Sequence, residues 1–267
     1  MATATQTWTE EMIELAGTQV QLVKGGSGEP LLIFHGEMGH PGWLRYHEAL
    51  AQDYTLYIAS HPGFGRSPRL DWITNMRDMA GWYLQALDDL GLGQVKALGF
   101  SLGGWLAAEI ATMSPGAFKK LVLVGSAGIK PPVGEIFDMF LVVAKDFMTA
   151  SVLDPERTPE FQKYCPDEPT PELAELWEIN REEASRLSWK PYMYYPGLPH
   201  LLRRLRDLPT LLVWGGQDGI VPLSAAQVYE ESIPGSRLER VNDCGHQPEV
   251  EKPDQFVKLV SDFFSEE

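Results

Sequence analysis

Five short apolar runs recur along this chain, at Leu31–Phe34, Leu56–Ala59, Val95–Phe100, Leu121–Val124 and Leu211–Trp214, and each ends near glycine or proline. None is long enough for a helix. A run without polar alternation offers no face to water, so each is predicted to be a strand buried on both sides. Segments of helical spacing lie between them. Met79, Tyr83, Leu87 and Leu90 repeat at intervals of three and four, behind a cap at Thr74 or Asn75 and ahead of a stop at Gly91. Phe256, Leu259, Val260, Phe263 and Phe264 make a second stripe near the C-terminus. Two strands at Met12–Leu15 and Gln19–Val23 are expected to precede the first run, and one more at Leu238–Val241 to follow the last. This alternation predicts an α/β fold, a mostly parallel central sheet flanked by helices, with chemistry at the carboxyl ends of the strands.

One section breaks the rhythm. From Pro131 to Arg206 there is no clean strand, and ten of the chain's twenty prolines fall there. Phe137, Phe140, Leu141 and Ala144, then Leu173, Leu176, Trp177 and Asn180, suggest short helices with one apolar face. Residues 1–130 and 207–267 are therefore read as the core and 131–206 as an inserted helical cap. The acidic run from Glu156 to Glu183 is read as a solvated face of that cap.

The length of 267 residues suits one domain with a large core, and the net charge of −15 argues against nucleic acid or an anionic membrane surface as a partner. No apolar segment approaches 18 residues, and the N-terminal stretch is polar and acidic, so a cytoplasmic location is expected. Cys165 and Cys244 are far apart and lack a CxxC companion, which predicts two free thiols and no metal cage.

The stretch ALGFSLGGW, Ala97–Trp105, carries the chemistry. Ser101 ends a predicted strand, precedes a predicted helix at Leu102–Met113, and has glycine at both second neighbours. That is the context of a strand bending sharply into a helix and leaving its serine where a substrate reaches it. A serine hydroxyl is a poor nucleophile at neutral pH and needs a base, and the base needs a carboxylate to fix its tautomer. Asp218, in GGQDGIVP just past the strand Leu211–Trp214, and His246, in NDCGHQPEV after Leu238–Val241, are the candidates. The chain order Ser, Asp, His fits this architecture.

With these three in place the whole chain resembles the α/β-hydrolase superfamily. The resemblance rests on four signatures in order: His35–Gly36, HPGFGRS at His61–Ser67, GFSLGG at Gly99–Gly104, and WGGQD with GHQPEVEKP. It implies a carboxylic ester hydrolase, without cofactor or metal, acting on a small ester or lactone through Ser101, His246 and Asp218. Carbon–carbon bond hydrolysis of vinylogous diketones and a slow-turnover ligand receptor are alternatives on the same scaffold, and a homodimer stays open as the assembly. The resemblance further implies an oxyanion hole built from the backbone N–H groups of Glu37 and Leu102. Where this chain has Glu37 or Met38, many such proteins have glycine, and a carboxylate there disfavours an oxyanion unless it points away. Met38, Phe137, Trp189, Val221 and Gln247 are the expected pocket walls. His35 is expected to hold its loop by hydrogen bonds, and His40, His47, His61 and His200 to be surface or packing residues.

Overall fold

Every predicted apolar run becomes a strand of one sheet. A computed structural model describes residues 8–266, so the first seven residues of the polar N-terminal stretch lie outside it. The strands are β1 Trp8–Leu15, β2 Thr18–Gly26, β3 Glu29–Phe34, β4 Tyr54–Ala59, β5 Val95–Phe100, β6 Phe118–Val124, β7 Thr210–Gly215 and β8 Arg237–Val241. Their spatial order is β1-β2-β4-β3-β5-β6-β7-β8. The pairs β1–β2 and β2–β4 are antiparallel and every other pair is parallel. All six residues of β7 are buried, as are the last four of β3, β5 and β6, which is what covering helices on both faces demand.

The helices outside the insertion are α1 Arg45–Leu50, α2 Met76–Leu90, α3 Leu102–Met113, α8 Leu223–Ser232, α9 Pro248–Glu251 and α10 Pro253–Ser265. Asn75 caps α2, its side chain accepting from the backbone N–H groups of Arg77 and Asp78, and Gly91 ends it in the left-handed region at φ 65°. Met79, Tyr83 and Leu87 of the predicted stripe are buried there, as are Phe256, Val260, Phe263 and Phe264 of α10. Helix α3 is buried at every position but its last, because it lies directly on the sheet behind the Ser101 turn.

Between β6 and β7 the chain forms α4 Ala144–Ala150, α5 Phe161–Tyr164, α6 Pro171–Ser188 and α7 Leu198–Leu202. The first expected helix is displaced: residues 137–143 form turns and α4 begins at Ala144. Phe137 instead hydrogen-bonds through its N–H to the Ile220 carbonyl, and Phe140 packs edge-on against Trp189 and Tyr192. The acidic run is only partly solvated. Glu183, on the same face of α6 as Asn180, is fully buried and ion-paired with Arg69 at 2.7 Å and with Arg186 at 2.5 Å. A charge with no water around it is tolerable only when so paired. Among the described residues no helix is long and apolar enough to cross a membrane.

Candidate active site

Ser101 stands between β5 and α3 with φ 46° and ψ −113°, a backbone conformation that an L residue holds only when its surroundings impose it. The flanking glycines show what imposes it. A Cβ on Gly103 would run into the backbone carbonyls of Phe34 and His35, and one on Gly99 would lie 2.6 Å from the Gly103 carbonyl oxygen. The turn closes only because α3 starts in contact with β3. Gly103→Ala is therefore expected to cost about 3 kcal/mol, the upper end for overpacking, since the obstacle is backbone and cannot rotate away. A urea unfolding midpoint equal to that of the parent would refute this.

The Asp218 and His246 side chains meet. The His246 Nδ1–H donates to Asp218 Oδ2 at 2.8 Å, and both side chains are almost wholly buried. Asp218 Oδ1 accepts from the backbone N–H groups of Ile220 and Val221, each at 2.9 Å. The acid thus sits in its own turn after β7 and does not cap α8, which has no side-chain cap. The His246 loop is anchored to the insertion, its N–H donating to the Ser151 carbonyl at 2.8 Å. Burial by itself depresses the imidazole pKa. The Asp218 charge and hydrogen bond, reinforced by Glu37 and Glu249, more than reverse that and raise it to about 9.

Ser101, His246, Glu37, Met38, Gln247, His40, Tyr164 and Glu249 all line one cavity whose free space is only about 40 Å³, room for a few water molecules. Ser101 Oγ makes no hydrogen bond inside the protein, so its link to His246 is open in this resting arrangement. Phe137, Trp189 and Val221 are not among the walls. Val221 serves through its backbone N–H on Asp218, and Trp189 is 59 % exposed on the insertion's outer surface. A neighbouring cavity of about 230 Å³ shares Met38, His40 and Tyr164 as walls and continues between the loop after β3 and the helices of the insertion, past Met148, Leu173 and Trp177.

Two histidines hold the loop after β3. The His61 backbone N–H donates to His35 Nε2 at 3.0 Å, which leaves the proton on His35 Nδ1, and that donates to the Gly36 carbonyl at 2.8 Å. His61 in turn stacks on His35 with ring centres 3.7 Å apart and bonds to the Tyr83 hydroxyl at 2.6 Å. Burial pushes His35 down to about 4, so it stays neutral and acts as a strut. The expectation for His35 matches this geometry; His61 does more than pack. From the insertion, Asn180 Nδ2 donates to the Met38 carbonyl at 2.8 Å, and its Oδ1 accepts from the Gly65 N–H at 3.0 Å. Removing that amide in Asn180→Ala leaves one buried and one partly buried backbone group without partners and is expected to cost about 1–3 kcal/mol, read as a lower melting temperature. An unchanged melting temperature would show that the tie is dispensable.

The Glu37 side chain does not point away. It is 2 % exposed, and its Oε2 accepts from the Leu102 N–H at 3.4 Å, so a carboxyl group occupies the position expected for a developing oxyanion. Glu249, on α9, is a second buried carboxyl on the same cavity, and burial above all raises its pKa to about 8. Sequence reasoning missed Glu249, Tyr164 and Asn180, because nothing in a single sequence tells which residues of an insertion or of a short helix face the strand ends.

The comparisons with known proteins agree with this fold. Residues 29–151 and 174–253 match the model of a family described as alpha/beta hydrolase fold. The chain belongs to the α/β-hydrolase family. Among its relatives, a 2-hydroxymuconate semialdehyde hydrolase of Pseudomonas sp. strain CF600 is 29 % identical over 94 % of this chain and 92 % of its own. A pimeloyl-[acyl-carrier protein] methyl ester esterase of Aeromonas hydrophila is 25 % identical over 91 % and 98 %. The solved structure of an esterase from Rhodococcus sp. ECU1013 superposes with a TM-score of 0.74 at 24 % identity, covering 97 % of this chain and 99 % of that one. This hydrolase is therefore similar both to proteins that cleave esters and to one named for an unsaturated semialdehyde.

Proposed function

We propose that this α/β hydrolase cleaves carboxylic esters, lactones included, through an acyl-enzyme intermediate. The observation that carries the reading is a serine held in a strained turn on the wall of the same small cavity as a carboxylate-bound histidine. With Nδ1–H committed to Asp218, His246 Nε2 is free to take the Ser101 proton as Oγ attacks the substrate carbonyl. The oxyanion forms toward the backbone N–H groups of Leu102 and Glu37. Collapse of the tetrahedral intermediate expels the alcohol, which receives the proton from His246. Water, deprotonated by the same imidazole, then releases the acid.

The resting cavity is too small for an ester, so binding involves displacement of the Glu37 side chain, movement of the insertion (residues 131–206 acting as a cap), or both. The neighbouring space past Met148, Leu173 and Trp177, with Lys163 and Asn180 also on its wall, offers an arm for the substrate. Carbon–carbon bond cleavage of the kind the Pseudomonas relative's name implies is the second reading, and that relative's similarity favours it. The lining disfavours it. A muconate-type substrate carries a carboxylate, and among the described residues lining the Ser101 cavity there is no lysine or arginine to receive one, while Lys163, on the wall of the neighbouring space, is engaged by the Trp43 carbonyl and by Glu160. A panel of p-nitrophenyl esters, lactones and dienoic ketones separates the readings: turnover on the order of 1 per second on esters supports the first, and turnover confined to the ketones overturns it. Labelling by a fluorophosphonate, with one adduct at Ser101 by mass spectrometry, tests the nucleophile independently.

A further inference from the structure

The hydrogen-bonding inventory of the cavity is lopsided. Its unpartnered atoms include Glu249 Oε2, on a residue only 6 % exposed, and His40 Nε2, on an imidazole that burial holds neutral with a pKa near 3. Glu37 adds a second carboxyl group, satisfied for the moment only by a long contact to the Leu102 N–H that a substrate oxyanion must take over. Lysine and arginine are missing from these walls among the described residues. Carboxyl oxygens buried in this way need donors, and a substrate oxyanion would compete with Glu37 for the Leu102 amide while facing its charge.

We infer that the Ser101 cavity selects substrates carrying an ammonium group within two or three bonds of the scissile carbonyl, held between the side chains of Glu37 and Glu249. The inference rests on the ester reading above and deepens it. An ammonium supplies up to three donors. It draws the Glu37 carboxyl off the Leu102 N–H, freeing that donor for the carbonyl oxygen, and it satisfies Glu249 Oε2. Its charge then lies between the carboxyl groups and the developing oxyanion, so the feature that would weaken acyl transfer on a neutral ester assists it on a cationic one. An ester with an anionic acyl chain supplies no donor to either carboxyl group.

Ethyl 3-aminopropanoate, ethyl butanoate and monoethyl succinate are nearly isosteric and differ in charge. Their binding to Ser101→Ala at pH 8.5, above the value of about 8 to which burial lifts Glu249, measured by calorimetry, should fall in that order, with the ammonium ester at least about tenfold tighter than butanoate, the range for one charge-assisted hydrogen bond. In the same background, Glu249→Gln and Glu37→Gln should each shrink that preference severalfold. Should Glu37→Gln fail to fold, by circular dichroism, Glu249→Gln alone decides. Equal binding of the ammonium and neutral esters, undetectable binding of the ammonium ester at millimolar concentration, or a preference that survives substitution of Glu249 overturns the inference. Failure of the ester reading looks different: the unsubstituted protein then cleaves none of the three, whatever their order of binding.

Discussion

Ser101→Ala is expected to leave a folded protein whose ester turnover is lower by roughly 10⁶-fold, the order seen when the nucleophile of a serine triad is removed. The fold should tolerate the change because Ser101 Oγ makes no hydrogen bond in the resting structure, so its loss orphans nothing. The strained φ of 46° is imposed by the contacts of α3 on β3 and does not depend on the hydroxyl. Binding should survive, since the Leu102 and Glu37 N–H groups and the neighbouring space past Met148 are untouched. The loss should therefore fall on kcat, with KM nearly constant. The check is single-turnover kinetics on a p-nitrophenyl ester beside a thermal melt. Activity within tenfold of the parent, with the melt unchanged, would mean that another group attacks the carbonyl and that the strained turn serves some other purpose.

Much of this arrangement was legible in the sequence because period and order carry it. Buried parallel strands read as apolar runs, and all five did, with Lys96 the one charged interruption. The turn around Ser101 could be read from its glycines, and the structure supplies the reason: β-carbons at positions 99 and 103 have nowhere to go. Asp218 and His246 were found because strand ends are the only places from which distant segments converge on such a serine. The inward turn of Glu37, by contrast, is a rotamer choice, and sequence offers no periodicity for a loop side chain. Sequence reasoning about the insertion failed where its helices were too short for a face to declare itself. Residues 137–143 have apolar residues at helical spacing but are held in turns by bonds to Ile220 and Tyr192. Glu183 looked like one more surface acid in an acidic run; its partner Arg69 is 114 residues away, a distance no local pattern spans.

Asp218→Asn is expected to lower kcat by about 10⁴-fold, the size of the effect in comparable triads, and the hydrogen bonds here show why an isosteric change should be so costly. Oδ1 of Asp218 already accepts from two backbone N–H groups, those of Ile220 and Val221. An asparagine can keep both bonds only by placing its carbonyl oxygen there, which points its NH₂ at His246 Nδ1. That nitrogen must then accept, the ring proton moves to Nε2, and the atom that should receive the Ser101 proton is blocked. The pH profile should change with it. The base works only when neutral, so the activity of the parent is expected to rise with pH through an inflexion well above the usual imidazole value of 6.5, toward the 9 to which Asp218 and its neighbours lift it against burial. The same raised value means that His246 contributes stability that is complete below 6.5 and is lost as pH climbs through about 9. Without the Asp218 charge, burial is opposed only by Glu37 and Glu249, so the residual activity should show its inflexion near or below 6.5. Rate profiles of both proteins from pH 5 to 10, with urea unfolding at both ends of that range, test each step. A substituted protein that keeps the high inflexion would show that Glu37 and Glu249, not Asp218, set the charge state of the imidazole.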